Sequence, residues 1–112
     1  MTSNVPLYQA KAELFRTLGH PVRIRVLEIL QSGPTPVRDL LNELEVEASN
    51  LSQQLAVLRR AGLVTSTRQG STVLYELSTS DVEDLLSAGR RILADIWQDT
   101  EGMLAALRRD GM

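Results

Sequence analysis

The chain has 112 residues, 43% of them hydrophobic and 23% charged, with no cysteine, one histidine and a formal net charge of −2. That length suits one domain with one modest core, and no apolar run approaches the roughly 18 residues of a membrane span, so no membrane protein is expected. Without cysteine there is no disulfide framework, no cysteine-based zinc site and no thiol redox sensor; residues 1–6 also lack the basic-then-apolar layout of a signal peptide, so a cytoplasmic protein is expected.

Leu7, Ala10, Leu14, Phe15 and Leu18 recur at steps of three and four, which predicts a first helix ending at Gly19. Pro21 fits the first position of a second helix, with His20 just outside it as the cap. Ile24, Leu27 and Leu30, with Val26 and Ile29 beside them, form that helix's apolar face, and Ser32, Gly33 and Pro34 stop it. Thr35 and Pro36 are expected to restart the chain as cap and first residue of a short third helix. Val37, Leu40, Leu41 and Leu44 are its buried side, and Asp39 lies near its positive end.

A turn over residues 45–48 leads to a fourth helix over 49–61, closed by Gly62. Leu51, Leu55 and Leu58 share one of its faces, whereas Ser49, Gln53, Ala56 and Arg60 share the opposite one, flanked by Ser52 and Arg59. This outer face is short, polar and almost free of acid. Such a surface suits the DNA major groove, where Ser and Gln bond base edges and Arg pairs with phosphate or guanine. The period then switches. Residues 64–68 and 72–77 are rich in β-branched side chains and flank Gln69, Gly70 and Ser71, which is hairpin chemistry. A helix-turn-helix over 36–61 and a wing over 64–77 make the plan of a winged helix-turn-helix. The expected class is mostly α with a small β-hairpin, in the order four helices, two strands, one helix. One domain is expected over 1–112.

After the hairpin, Ser80 and Glu83 stand three apart as a capping box. Val82, Leu85, Leu86, Ile92, Leu93, Ile96, Trp97, Met103, Leu104 and Leu107 then mark one helix of about 25 residues, weakened at Gly89 and Gly102. Its apolar stripe is too long for so small a domain to cover, and the first helix has the same surplus. Residues 7–19 and 80–109 are therefore expected to join two copies across a two-fold axis, through Leu7, Leu14, Leu85, Ile92, Ile96, Trp97 and Leu104. Charge is divided to match. Over residues 46–75 Glu47 stands against Arg59, Arg60 and Arg68, a net of +2, while residues 80–109 carry −2.

Three stretches, LFRTLGHPVRIRVLEIL over 14–30, SNLSQQLAVLRRAGLV over 49–64 and RQGSTVLYELS over 68–78, closely resemble the ArsR/SmtB family of bacterial transcriptional repressors. The resemblance implies a homodimer of winged helices on an imperfect palindromic operator in double-stranded DNA, released by an inducer. It places Ala48, Ser49, Asn50, Ser52, Gln53 and Gln54 at the family's reading positions. It takes Arg68, Gln69, Gly70 and Ser71 of the wing tip to phosphate or the minor groove, and Arg59 and Arg60 are expected to meet phosphate.

The departures concern sensing. Where many members of the family carry a Cys-x-Cys metal site, this chain has Thr35, Pro36, Val37, Arg38 and Asp39. Its last helical stretch has no histidine; Asp95, Asp99 and Glu101 alone are poor ligands for zinc or nickel. No metal and no cofactor are expected, and an unidentified small-molecule effector stays open. An enzyme is not expected either, since there is no thiol nucleophile, no glycine-rich phosphate loop and no acid–base constellation. The acidic pI of about 5.3 supports a different class of function, a winged-helix module that docks a protein and binds DNA little.

Overall fold

In the computed structural model, which describes residues 4–98 and 101–110, the first helix, α1, spans Leu7–Leu18. Helix α2 (Pro21–Ile29) begins as its sequence expects. His20 is the N-cap, its Nδ1 accepting the Val22 N–H at 3.2 Å, and Pro21 fills a first-turn position that needs no donor. A single 3-10 turn, Leu30–Ser32, then carries Leu30 into the core.

The next element differs from expectation. Thr35–Pro36 is a short strand, β1, and Pro36 is the N-cap of α3 (Val37–Leu44) rather than its first residue. Thr35 does not cap the helix; its Oγ1 donates to the Gly33 carbonyl at 2.9 Å. Extended backbone is what a residue before proline prefers, so Thr35 is already shaped to pair as a strand. α3 ends on Glu45, which adopts the left-handed conformation at φ 54° and donates its N–H to the Leu41 carbonyl at 3.1 Å.

Helix α4 spans Ala48–Arg60 with Glu47 as N-cap, whose side chain makes no capping hydrogen bond. It closes in a Schellman arrangement: the Gly62 N–H bonds the Arg59 carbonyl and the Leu63 N–H bonds the Leu58 carbonyl, both at 3.0 Å. Gly62 takes φ +80°, which a residue bearing Cβ adopts only with strain. Strands β2 (Val64–Gln69) and β3 (Thr72–Leu77) follow, pairing from Val64 with Leu77 to Gln69 with Thr72. Gly70 at φ +63° opens the two-residue turn between them. β1 pairs with the other edge of β3, Thr35 opposite Tyr75, so the sheet has three antiparallel strands in the order β1-β3-β2. Ser78 fastens the end of the hairpin to the end of α4, its N–H bonding the Leu63 carbonyl at 3.0 Å and its Oγ the Gly62 carbonyl at 2.6 Å.

Val26 and Leu27 of α2, Leu40 of α3, and Leu51 and Leu58 of α4 have no exposed surface at all; Leu30, Leu55 and Val64 join them in the core. Each such side chain contributes roughly 1.5–3 kcal/mol by leaving water.

The chain divides between Thr79 and Ser80 into two compact units. The second holds α5 (Ser80–Ile96) and α6 (Glu101–Asp110). The expected single helix of about 25 residues is therefore two, in a stretch where Asp99, Thr100 and Gly102 are three weak helix formers within four residues. α5 begins at Ser80, which leaves the cap position to Thr79 rather than to Ser80. Within this unit an Arg90 Nη donates to the Leu107 carbonyl at 3.4 Å. None of the described helices is long and apolar enough to cross a membrane.

Candidate nucleic-acid interface

α4 is held by its leucines. With Leu51, Leu55 and Leu58 turned inward, helical spacing leaves Ser49, Ser52, Gln53, Arg59 and Arg60 exposed, together with Ala48 at the start. The exposed groups form a strip one helix long, hydroxyl and amide groups toward its N-terminal end and two guanidinium groups at its C-terminal end. A helix of this width fits the major groove, and these side chains supply donors and acceptors that complement base edges, and donors for phosphate oxygens.

Of the residues carried over from the family resemblance, Gln54 sits elsewhere and Asn50 is only partly open. Gln54 is buried at 8% exposure, its Oε1 accepting from Arg23 Nε at 2.8 Å and its Nε2 donating to Asn50 Oδ1 at 3.0 Å. Asn50 is half-buried and bound by one end to that amide. Gln54 is thus an internal brace, not part of the outward strip, and the reason is positional: it lies one turn from both Leu51 and Leu58, on the stripe that packs inward.

The wing presents Arg68, Gln69, Gly70 and Ser71, all exposed around the turn that Gly70 makes. Beside it lies an open groove of about 320 Å³ lined by Pro36, Val37, Arg38, Ser71, Thr72 and Val73. Arg38 is well exposed there, with Asp39 at 4.0 Å as its nearest acid. Sequence reasoning missed this arginine; its position at the start of α3, a strand away from the wing, becomes visible only through the pairing of β1 with β3.

The apolar positions expected at an interface between copies are in large part open. Leu7 is 70% exposed, with Tyr8 and Phe15 of α1 also exposed; Leu14 is half-buried. In the second unit Ile92 and Ile96 are exposed at 58% and 66%, and Leu85 and Trp97 are half-buried, while the side chain of Leu104 lies outside the described residues. Asp95 is exposed; Asp99 and the Glu101 side chain also lie outside the description. His20, the only histidine, is occupied as the α2 cap. Among the described residues no three His, Cys, Asp or Glu side chains converge into a metal-holding group.

Residues 20–66 match the pattern of a family described as "Bacterial regulatory protein, arsR family". The uncharacterized HTH-type transcriptional regulator Rv0081 of Mycobacterium tuberculosis is 46% identical over 107 residues, covering 95% of this chain and 94% of its own. Its crystal structure superposes with a TM-score of 0.79 over 86% of this chain. The biofilm growth-associated repressor of Agrobacterium fabrum is 36% identical over 77 residues, 69% of this chain and 66% of its own.

Proposed function

This chain belongs to the arsR family of bacterial regulatory proteins and is a DNA-binding transcriptional regulator, and from that premise we propose that it is a homodimeric repressor reading an imperfect palindromic operator. The observation that carries this reading is the outward strip of α4, which is free of acid and rigidly backed by three buried leucines. Ser49, Ser52 and Gln53 contact base edges; Arg59, Arg60 and the wing residues Arg68, Gln69, Gly70 and Ser71 contact backbone or minor groove, joined by Arg38 from the neighbouring groove. The exposed apolar faces of α1 and α5 support the homodimer, since monomers seldom leave so many large apolar side chains in water. Two copies would set two α4 helices in successive major grooves, about one helical turn apart. The sign of regulation is taken from the Agrobacterium relative, whose name is that of a repressor.

A protein-docking module that binds DNA little is the less favoured reading, because the relatives are named as transcriptional regulators. The signal that releases DNA is proposed not to be a transition metal: the chain has no thiolate, and its one imidazole is committed to a helix cap. Footprinting on the DNA upstream of the protein's own coding region, with EDTA and with added zinc, nickel or cobalt, tests both points. Protection of a palindrome under every condition is expected. No protection would favour the docking module, and release by a metal would overturn the sensing proposal.

A further inference from the structure

Arg23 makes two bonds that join three helices of the first unit. One Nη donates to the Thr17 carbonyl in the last turn of α1 at 3.0 Å, and Nε donates to the Gln54 side chain of α4 at 2.8 Å. Gln54 passes the constraint on, its Nε2 donating to Asn50 Oδ1 one turn earlier at 3.0 Å. Because a guanidinium can only donate, it fixes which end of the Gln54 amide faces it. That in turn fixes Gln54 as donor toward Asn50 and leaves Asn50 with its Nδ2, a donor, as the end without a partner among the described residues.

We propose that Arg23 is a positioning residue for DNA reading, which through the buried Gln54 locks α4 against α1 and commits Asn50 to act as a donor. The proposal rests on α4 being the reading helix. One lone pair of the Asn50 oxygen is taken by Gln54, which holds that oxygen toward the buried amide and leaves Nδ2 as the end offered to DNA. In this orientation Asn50 donates to acceptors such as guanine O6 and N7, thymine O4 or a phosphate oxygen, rather than setting acceptor and donor side by side as the two-bond contact to adenine needs. Polarity at Asn50 is thus set by a side chain 27 positions away in the sequence.

The test begins with a duplex enriched from a random-sequence pool by the wild-type protein, compared with its scrambled counterpart. Arg23→Met is expected to lower the preference for the enriched duplex about tenfold while affinity for scrambled DNA changes less than about twofold, since phosphate contacts are untouched. Gln54→Glu keeps an acceptor for Arg23 but offers Asn50 only acceptors, so the Asn50 amide must turn and present its oxygen. Fresh selection with Gln54→Glu is expected to change the preferred base at the position where Arg23→Met loses discrimination. A merely structural brace would lower the melting temperature and leave base preference alone. Should Arg23→Met fail to fold, the double variant Arg23→Met, Gln54→Met replaces the polar pair by an apolar one and is expected to show the same loss. An unchanged preference in Arg23→Met or in the double variant overturns the proposal, as does a Gln54→Glu variant selecting wild-type sequences. If the wild-type protein enriches no sequence, the reading of α4 fails first and takes this inference with it.

Discussion

The leucines of α2 and α4 and the apolar residues of α1 and α5 are chemically alike and placed oppositely. Leu27, Leu51 and Leu58 have no exposed surface, whereas Leu7, Phe15, Ile92 and Ile96 are 56–70% exposed. The middle of the chain folds its stripes against one another, because helices of nine, eight and thirteen residues and a short sheet present faces of matching length. The terminal helices carry stripes that their own unit does not cover. The difference separates a region that covers its own apolar surface from one that does not, and on the proposed function the first sets the reading surface while the second joins two copies.

The sharpest way to break the comparison is to damage each region alone. Leu51→Ala removes buried methyl groups from directly beneath the reading strip and is expected to cost about 2–5 kcal/mol in urea unfolding. Ile92→Glu with Ile96→Glu places charge on the open face of α5. It is expected to yield monomers by sedimentation while the far-ultraviolet spectrum is kept. Operator affinity should fall about 100-fold or more, since two half-sites no longer act together. If the double glutamate variant remains a dimer, the open face of α5 is not the adhesive. If Leu51→Ala costs less than Ile96→Ala, the division between the two regions is wrong.

Within the reading strip a smaller contrast separates base contacts from phosphate contacts. Gln53→Ala is expected to cost roughly 1–3 kcal/mol on operator DNA and little on random DNA. Arg60→Ala is expected to weaken both alike and to reduce the salt slope by about one. Equal weakening by Gln53→Ala would remove it from the base-reading set, and a sequence-dependent loss at Arg60 would move it in.

Which parts of this were legible in the sequence follows from the range of the forces involved. Local signals worked: the His20–Pro21 start of α2, the Gly62 stop of α4 and the Gly70 turn are fixed by residues within a few positions of one another. β1 was invisible because a two-residue strand has no periodicity, and its partners Leu74 and Tyr75 lie some 40 positions on. The break between α5 and α6 left the apolar spacing intact on both sides, so the stripe alone did not reveal it. Gln54 is the instructive case at the site. Its helical spacing with Leu51 and Leu58 already marks it as inward-facing, but a buried glutamine needs polar partners, and Arg23 lies 31 positions away. Gln54 therefore reads as a contact residue, and Asn50 as one with both ends of its amide free, until the long-range bonds are in view.

The mildest test concerns the turn between the two regions of the helix-turn-helix itself. Glu45 is the only non-glycine residue with positive φ among the described residues, at φ 54° and ψ 43°. For a side chain bearing Cβ that conformation costs roughly 1–2 kcal/mol. Glycine avoids the clash, although its freer unfolded chain gives back about 0.5–1 kcal/mol. Glu45→Gly is therefore expected to stabilise the fold by about 1 kcal/mol or less, read as a small rise in the urea midpoint. The backbone path from α3 to α4 is unchanged by this substitution, so the ratio of operator to random-DNA affinity should stay at its wild-type value. Losing one acid two residues before Glu47 should strengthen binding to both DNAs slightly and equally. A loss of stability would mean that the Glu45 carboxylate, not merely its backbone, helps hold the turn; a change in the ratio would mean that the turn sets how α4 meets the bases.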